Sequence, residues 1–295
     1  MTQITLMDGG LGQELVRRAS DKPTNLWSTQ VMIDHPGLVA AVHRDYREAG
    51  ARVHVANTYA LHRDRLTDTP HADQFEALHD MALREVRSVC VGHGRIAGSL
   101  GPLIASYRPD LHPPHDEAVQ LYAEVTALLA PHVDVVIGET IASVAHARAV
   151  LEAALPFGKP VWLSMTVQDG DGSKLRSGED LSEVLSLAGD GAAALLANCA
   201  PPETMATAVN ILATGDLPFG AFANGFTHIA DDFLKDKPTV DALSARQDLT
   251  PEAYAKFALG WIDQGATIVG GCCEVGPAHI AALAKAITDA GHRIN

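Results

Sequence analysis

The chain is poor in cysteine, in aromatic residues, in positive charge and in long apolar runs. It carries four cysteines in 295 residues, too few in a chain this long for a disulfide framework. Clustered thiols in such a chain point to a metal or to catalysis in a reducing compartment. No apolar run approaches the roughly 20 residues that a membrane-spanning helix needs. No basic-then-apolar leader opens the sequence, because Asp8 and its glycines interrupt the first apolar segment. A cytoplasmic location without a membrane partner is therefore expected. The formal net charge is −14, and an acidic surface argues against nucleic acid as a partner. A Gly-x-Gly-x-x-Gly turn is missing after the first apolar run, where Asp8-Gly9-Gly10-Leu11-Gly12-Gln13 has another spacing; this weakens an open doubly wound sheet. The remaining composition, 47% hydrophobic and 20% charged, is that of a globular protein with a sizeable core.

Short apolar runs alternate with longer helical patterns. The candidate strands are Ile4–Met7, Arg52–Ala56, Arg95–Ser99, Val133–Ile137, Val161–Thr166, Ala193–Ala197, Phe219–Ala223 and Thr267–Gly270. Most are apolar throughout rather than alternating, as strands buried on both faces are. Helical patterns cover Pro36–Ala49, Ala72–Cys90, Asp116–Ala130, Ser143–Leu155, Leu181–Gly189, Pro202–Ala213 and Pro251–Gly265. This alternation predicts an α/β fold, a single-domain (β/α)8 barrel. Loops are longest at Arg63–His71, Tyr107–His115, Gln168–Glu179 and Asn224–Thr250, all after strands and hence on the catalytic face of a barrel.

The strand ends carry the reactive residues. They read Asp8-Gly9-Gly10, Asn57-Thr58-Tyr59, Gly138-Glu139-Thr140, Asn198-Cys199, Asn224-Gly225 and Gly271-Cys272-Cys273. Cys199, Cys272 and Cys273, at the ends of strands two apart on a barrel rim, can converge on one metal ion, and three thiolates leave a fourth tetrahedral position open. A redox pair beside a core cysteine is the competing reading. Neighbouring cysteines reach one ion only where the backbone bends sharply, a freedom that Gly270 and Gly271 would supply. Cys90, ending a helical pattern, reads as a small buried hydrophobe. Asp8 and Glu139 are either site carboxylates or caps of the helices that follow. The 14 histidines are scattered, with surface or hydrogen-bonding roles expected. Lys174 and Arg176 could meet a carboxylate or be solvated loop charges.

These motifs together resemble the homocysteine S-methyltransferase family. The resemblance runs end to end, through Asp8-Gly9-Gly10-Leu11-Gly12-Gln13-Glu14-Leu15, Leu26-Trp27-Ser28, Asn57-Thr58-Tyr59, Ser99-Leu100-Gly101-Pro102, Glu139-Thr140, Asn198-Cys199, Asn224-Gly225 and Gly270-Gly271-Cys272-Cys273. It implies that residues 1–295 form one homocysteine-binding barrel. Zn2+ would be held by Cys199, Cys272 and Cys273, with the substrate thiol in the open position. It implies that Asp8 and Glu139 hold the amino acid's ammonium group. Trp27 and Tyr59 would sit near the methyl-donor pocket, with Thr58 and Asn224 as further substrate contacts. The partners implied are small molecules: a thiol acceptor and a methyl donor, the latter a sulfonium such as S-methylmethionine or S-adenosylmethionine. The alternatives are the same site with betaine or selenohomocysteine, and a non-enzymatic zinc or thiol-redox protein.

Overall fold

The computed structural model describes residues 1–22, 24–230, 234 and 243–295. Nine parallel strands are found among them: β1 Gln3–Leu6, β2 Val53–Val55, β3 Arg95–Leu100, β4 Val135–Ile141, β5 Val161–Met165, β6 Ala194–Asn198, β7 Phe219–Phe222, β8 Ile268–Val269 and β9 Arg293–Ile294. Pairing runs β2-β3-β4-β5-β6-β7-β8-β1-β9. The ring closes where Asp8 N–H donates to Val53 O at 2.9 Å and Arg52 N–H donates to Leu6 O at 2.8 Å. β9 takes the lower part of the same β1 edge, with Arg293 and Asn295 N–H donating to Thr2 and Ile4 carbonyls.

Helices wrap the ring. After β1 come α1 Leu11–Ala19, α2 Ser28–Asp34 and α3 Leu38–Glu48; after β2 come α4 Arg63–Leu66 and α5 Phe75–Cys90. The later strands lead into α6 His115–Leu129, α7 Val144–Ala154, α8 Pro202–Leu212, α9 Pro251–Asp263 and α10 Pro277–Asp289. Prolines open α8, α9 and α10, where the missing N–H costs nothing. Ser143 and Thr250 cap α7 and α9 by accepting from backbone N–H groups of His146 and Ala253. The expected helix at Leu181–Gly189 is instead a 3-10 helix over Leu181–Ala188. That winding rises about 2.0 Å per residue, so a short connection reaches further.

Two cores follow from strand alternation. Val53, Ala97, Ile137, Trp162, Leu196, Phe222 and Ile268 fill the barrel. Outward residues such as Ile4, Leu6, Leu163 and Leu195 pack against the helices. β4 runs past its expected end because a register shift between Gly138 and Ile141 keeps it paired with β5. Of the long loops, Arg63–His71 contains α4, and Gln168–Glu179 folds back through the Val167–Leu175 and Lys174–Asp180 bridges. Lys174 and Arg176 are paired with Asp180 and Asp169, so neither is an unpaired carboxylate receptor. The Asn224–Thr250 loop lies in part outside the described residues.

Candidate metal centre

Three backbone ties bring the thiols together. Cys199 N–H donates to Phe222 O, Cys272 N–H to Ala223 O and Gly271 N–H to Asp8 O. The buried Tyr254 hydroxyl, from α9, accepts from Ala223 N–H and donates to Gly270 O at 2.6 Å, pinning the ends of β7 and β8. Gly270 and Gly271 do not take a left-handed φ, contrary to the expected bend. They matter for close approach: a Cβ on Gly270 would lie 2.6 Å from Met7 Cβ. Gly10 plays the same part across the rim, where a Cβ would meet Cys272 O at 2.4 Å. The chain turns after the cysteines, with Val275 N–H donating to Cys272 O.

Cys199 Sγ lies 2.9 Å from Cys272 Sγ and 3.9 Å from Cys273 Sγ, and all three sulfurs fall within 4.8 Å of one another. Zn–S bonds of about 2.3 Å give a tetrahedron with edges of about 3.8 Å. The donor chemistry fits zinc, the Cys199–Cys273 separation matches that edge, and the Cys199–Cys272 pair would open by about 0.9 Å to take the ion. Cys199 is pushed well below the usual thiol range by its contacts with Cys272 and Cys273, and Tyr107 and Asn224 add support. The Tyr107 hydroxyl is 3.0 Å and Asn224 Nδ2 is 3.9 Å from the sulfur.

The cysteines open onto a cavity of about 610 Å³ that also reaches Asp8, Trp27, Tyr59 and Glu139. Asp8 accepts from Val55 N–H at 2.9 Å and Glu139 accepts from the Ser99 hydroxyl at 2.6 Å, so neither caps a helix. Burial raises both carboxyls: Asp8 well above its usual range, with Glu139 adding repulsion, and Glu139 to about 7, with Cys199 adding to it. Two buried acids facing one cavity favour a cationic guest. Trp27 meets Tyr59 edge to face at 6.0 Å. The indole Nε1–H donates to Gln13 Oε1 at 3.0 Å, and Gln13 Nε2 donates to Glu274 Oε1 at 2.7 Å.

Two expected contacts are placed elsewhere. Thr58 does not line the cavity; its hydroxyl bridges Ser99 N and O and so clamps β2 to β3. Asn224 touches the Cys199 sulfur rather than the cavity wall. Sequence reasoning missed Tyr107 as a sulfur partner, because it reaches Cys199 from a loop turn at φ 63° that no motif marks. It also missed Asn198 as an organiser. Asn198 Oδ1 accepts from Thr140 N–H and the Ser164 hydroxyl, and Nδ2 donates to Thr140 Oγ1.

A closed parallel barrel with its reactive residues at the C-terminal strand ends defines a (β/α)8-barrel enzyme. The chain belongs to the homocysteine S-methyltransferase family, whose model matches residues 5–287. It is 28% identical to the homocysteine S-methyltransferase of Escherichia coli (strain K12), over 95% of this chain and 94% of that protein. It is 24% identical to a selenocysteine Se-methyltransferase of Brassica oleracea var. italica, over 95% of this chain and 88% of that protein. The crystal structure of the homocysteine methyltransferase MmuM from Escherichia coli in its metallated form superposes with a TM-score of 0.79 at 25% identity, covering 95% of each chain.

Proposed function

We propose that the cavity binds L-homocysteine and a sulfonium methyl donor, and that Cys199, Cys272 and Cys273 hold Zn2+. The observation that carries this reading is one cavity reached by three mutually close thiols, two buried carboxyls and an aromatic pair. Zinc, when bound, supplies the positive charge that turns a thiol of pKa near 8.5 into a thiolate at neutral pH.

The chain's own residues do the rest. Asp8 and Glu139 receive the amino acid's ammonium group, which offsets the cost of holding two carboxylates in a buried wall. Trp27 and Tyr59 offer ring faces to a sulfonium, an attraction of about 0.5–2 kcal/mol. Gln13, fixed by Glu274, keeps the Trp27 ring in place. Acceptor and donor meet with sulfur, methyl carbon and leaving sulfur in line, the arrangement from which much of the rate derives. The acceptor sulfur forms a bond to the methyl carbon as the carbon–sulfonium bond breaks. The donor leaves as a neutral thioether, and the acceptor's thiol proton has passed to solvent. No histidine of the described residues lines the cavity, in keeping with a reaction that needs no general base.

The test is a panel of donors against zinc-loaded protein: S-methylmethionine, S-adenosylmethionine and betaine, each with homocysteine or selenohomocysteine, scored by the methylated product. The sulfonium donors are expected to give methionine and betaine is not. Turnover with betaine alone would overturn the donor assignment. Zinc retention without turnover of any pair would favour the thiol-redox reading.

A further inference from the structure

A second cluster of ligand-type side chains lies behind β2, away from the three cysteines. His54 sits in the middle of β2. Its neighbours Val53 and Val55 point into the barrel, so alternation sends His54 outward into the helical layer. There it meets His43 from α3, edge to face with ring centroids 6.2 Å apart, and Cys90, the last residue of α5. One ligand atom from each of His43, His54 and Cys90 falls within 4.8 Å of the others, and all three residues are buried.

All four ring nitrogens of His43 and His54 are buried without a hydrogen-bond partner among the described residues. The Asp8 carboxyl Oδ2 is 3.8 Å from His43 Nδ1, too far for a hydrogen bond, and the Arg52 and Arg47 cations act on His54. Each buried unpartnered polar group costs about 1–3 kcal/mol, and a pair of such imidazoles beside a thiol is unusual wall material. Burial keeps both rings neutral, His43 down to about 3 and His54 down to about 4, so their lone pairs are free at neutral pH. Burial also raises the Cys90 thiol to about 12.

We propose that His43, His54 and Cys90 form a second, structural metal site for a thiophilic d10 cation, Zn2+ or Cu+, set between β2, α3 and α5. A donor set of two imidazole nitrogens and one thiolate suits both ions. Binding releases the Cys90 proton to solvent as the thiolate forms. With Cu+ the thiolate and two neutral imidazoles leave no net charge. With Zn2+ one positive charge remains, and the Asp8 carboxylate faces it. The ion enters as the layers assemble, because all three ligands are shut from solvent in the folded chain.

The test uses the double variant Cys272→Ser/Cys273→Ser, which leaves one rim thiol, too few to hold an ion. Cells are grown with added zinc in one arm and added copper in the other, and metal is counted in the purified protein. Wild type is expected to carry about two metal equivalents per chain, and the double variant about one. The arm that fills the site identifies the ion. Adding Cys90→Ala, or separately His54→Gln, is expected to remove the remaining equivalent while circular dichroism shows the fold retained. A double variant free of metal in both arms would overturn the site, as would a remaining equivalent indifferent to both substitutions. The count in the double variant decides the question even where a core substitution fails to fold.

Discussion

Thr140, a β-branched residue, is held at φ 57°, a conformation that costs about 1–3 kcal/mol. Asn198 sustains it through both of its amide atoms, and the result is a bulge that turns Glu139 into the cavity. Sequence reading singles out Glu139 and the three cysteines, because rare polar residues at the ends of apolar runs are conspicuous, while leaving Glu139 open between a cap and a site carboxylate. It does not identify Tyr107 or the role of Asn198, whose partners come from distant loops. It also assigns the histidines to surface or hydrogen-bonding roles, whereas His43, His54 and His62 are buried with both ring nitrogens unpartnered among the described residues. Glu139 also carries a cost in stability. Its carboxyl titrates near 7 in the fold against 4.5 in the open chain, so the penalty grows as pH rises through that window. Glu139→Gln is therefore expected to stabilise the metal-free protein by roughly 3 kcal/mol at pH 8 and by under about 1 kcal/mol at pH 5, read by denaturant titration. The same substitution is expected to raise the KM for homocysteine by about 10- to 100-fold. Unchanged stability together with unchanged KM would contradict both statements.

The strands were legible because parallel strands buried on both faces read as continuous apolar runs. β9 was not, since two residues of ordinary composition pair only through the lower edge of β1. α1 and α2 were hidden by the glycines and polar residues that open them. Those glycines serve contact between elements: the loop after β1 must pass against the end of β8. Gly10→Ala would place a Cβ 2.4 Å from the Cys272 carbonyl oxygen, forcing the two segments apart. The expected outcome is a folded barrel whose zinc affinity falls by at least about 10-fold, in the range found when groups that orient metal ligands are altered. Competition with a chromophoric chelator measures it, and wild-type affinity would show that the close approach is unnecessary.

At the scale of the molecule, the barrel gathers side chains from the ends of β1, β4, β6 and β8 that no stretch of sequence holds together. Closure makes Asp8 and Cys272 neighbours across the β1–β8 seam. The helical layer adds a pH dependence of its own. His62 is buried between α4 and α6, and burial pulls it to about 4, while His146 is held well below its usual range by burial and by His112 and His62. The unfolded chain protonates these imidazoles near 6.5, before the folded one does. The histidine contribution to stability is thus fully present above pH 6.5 and is lost as pH falls toward 4, His62 alone accounting for about 3 kcal/mol, against the opposite trend that Glu139 imposes. Urea denaturation of wild type and His62→Phe across that range isolates this contribution, and an identical pH dependence of the two would contradict it. The most direct test of the central claim compares wild type with Cys272→Ala, measuring bound zinc and methionine formed from homocysteine and S-methylmethionine on the same samples. Loss of zinc and of methyl transfer together is expected. Full methyl transfer by the zinc-free variant would contradict a reaction built on the three-thiol centre.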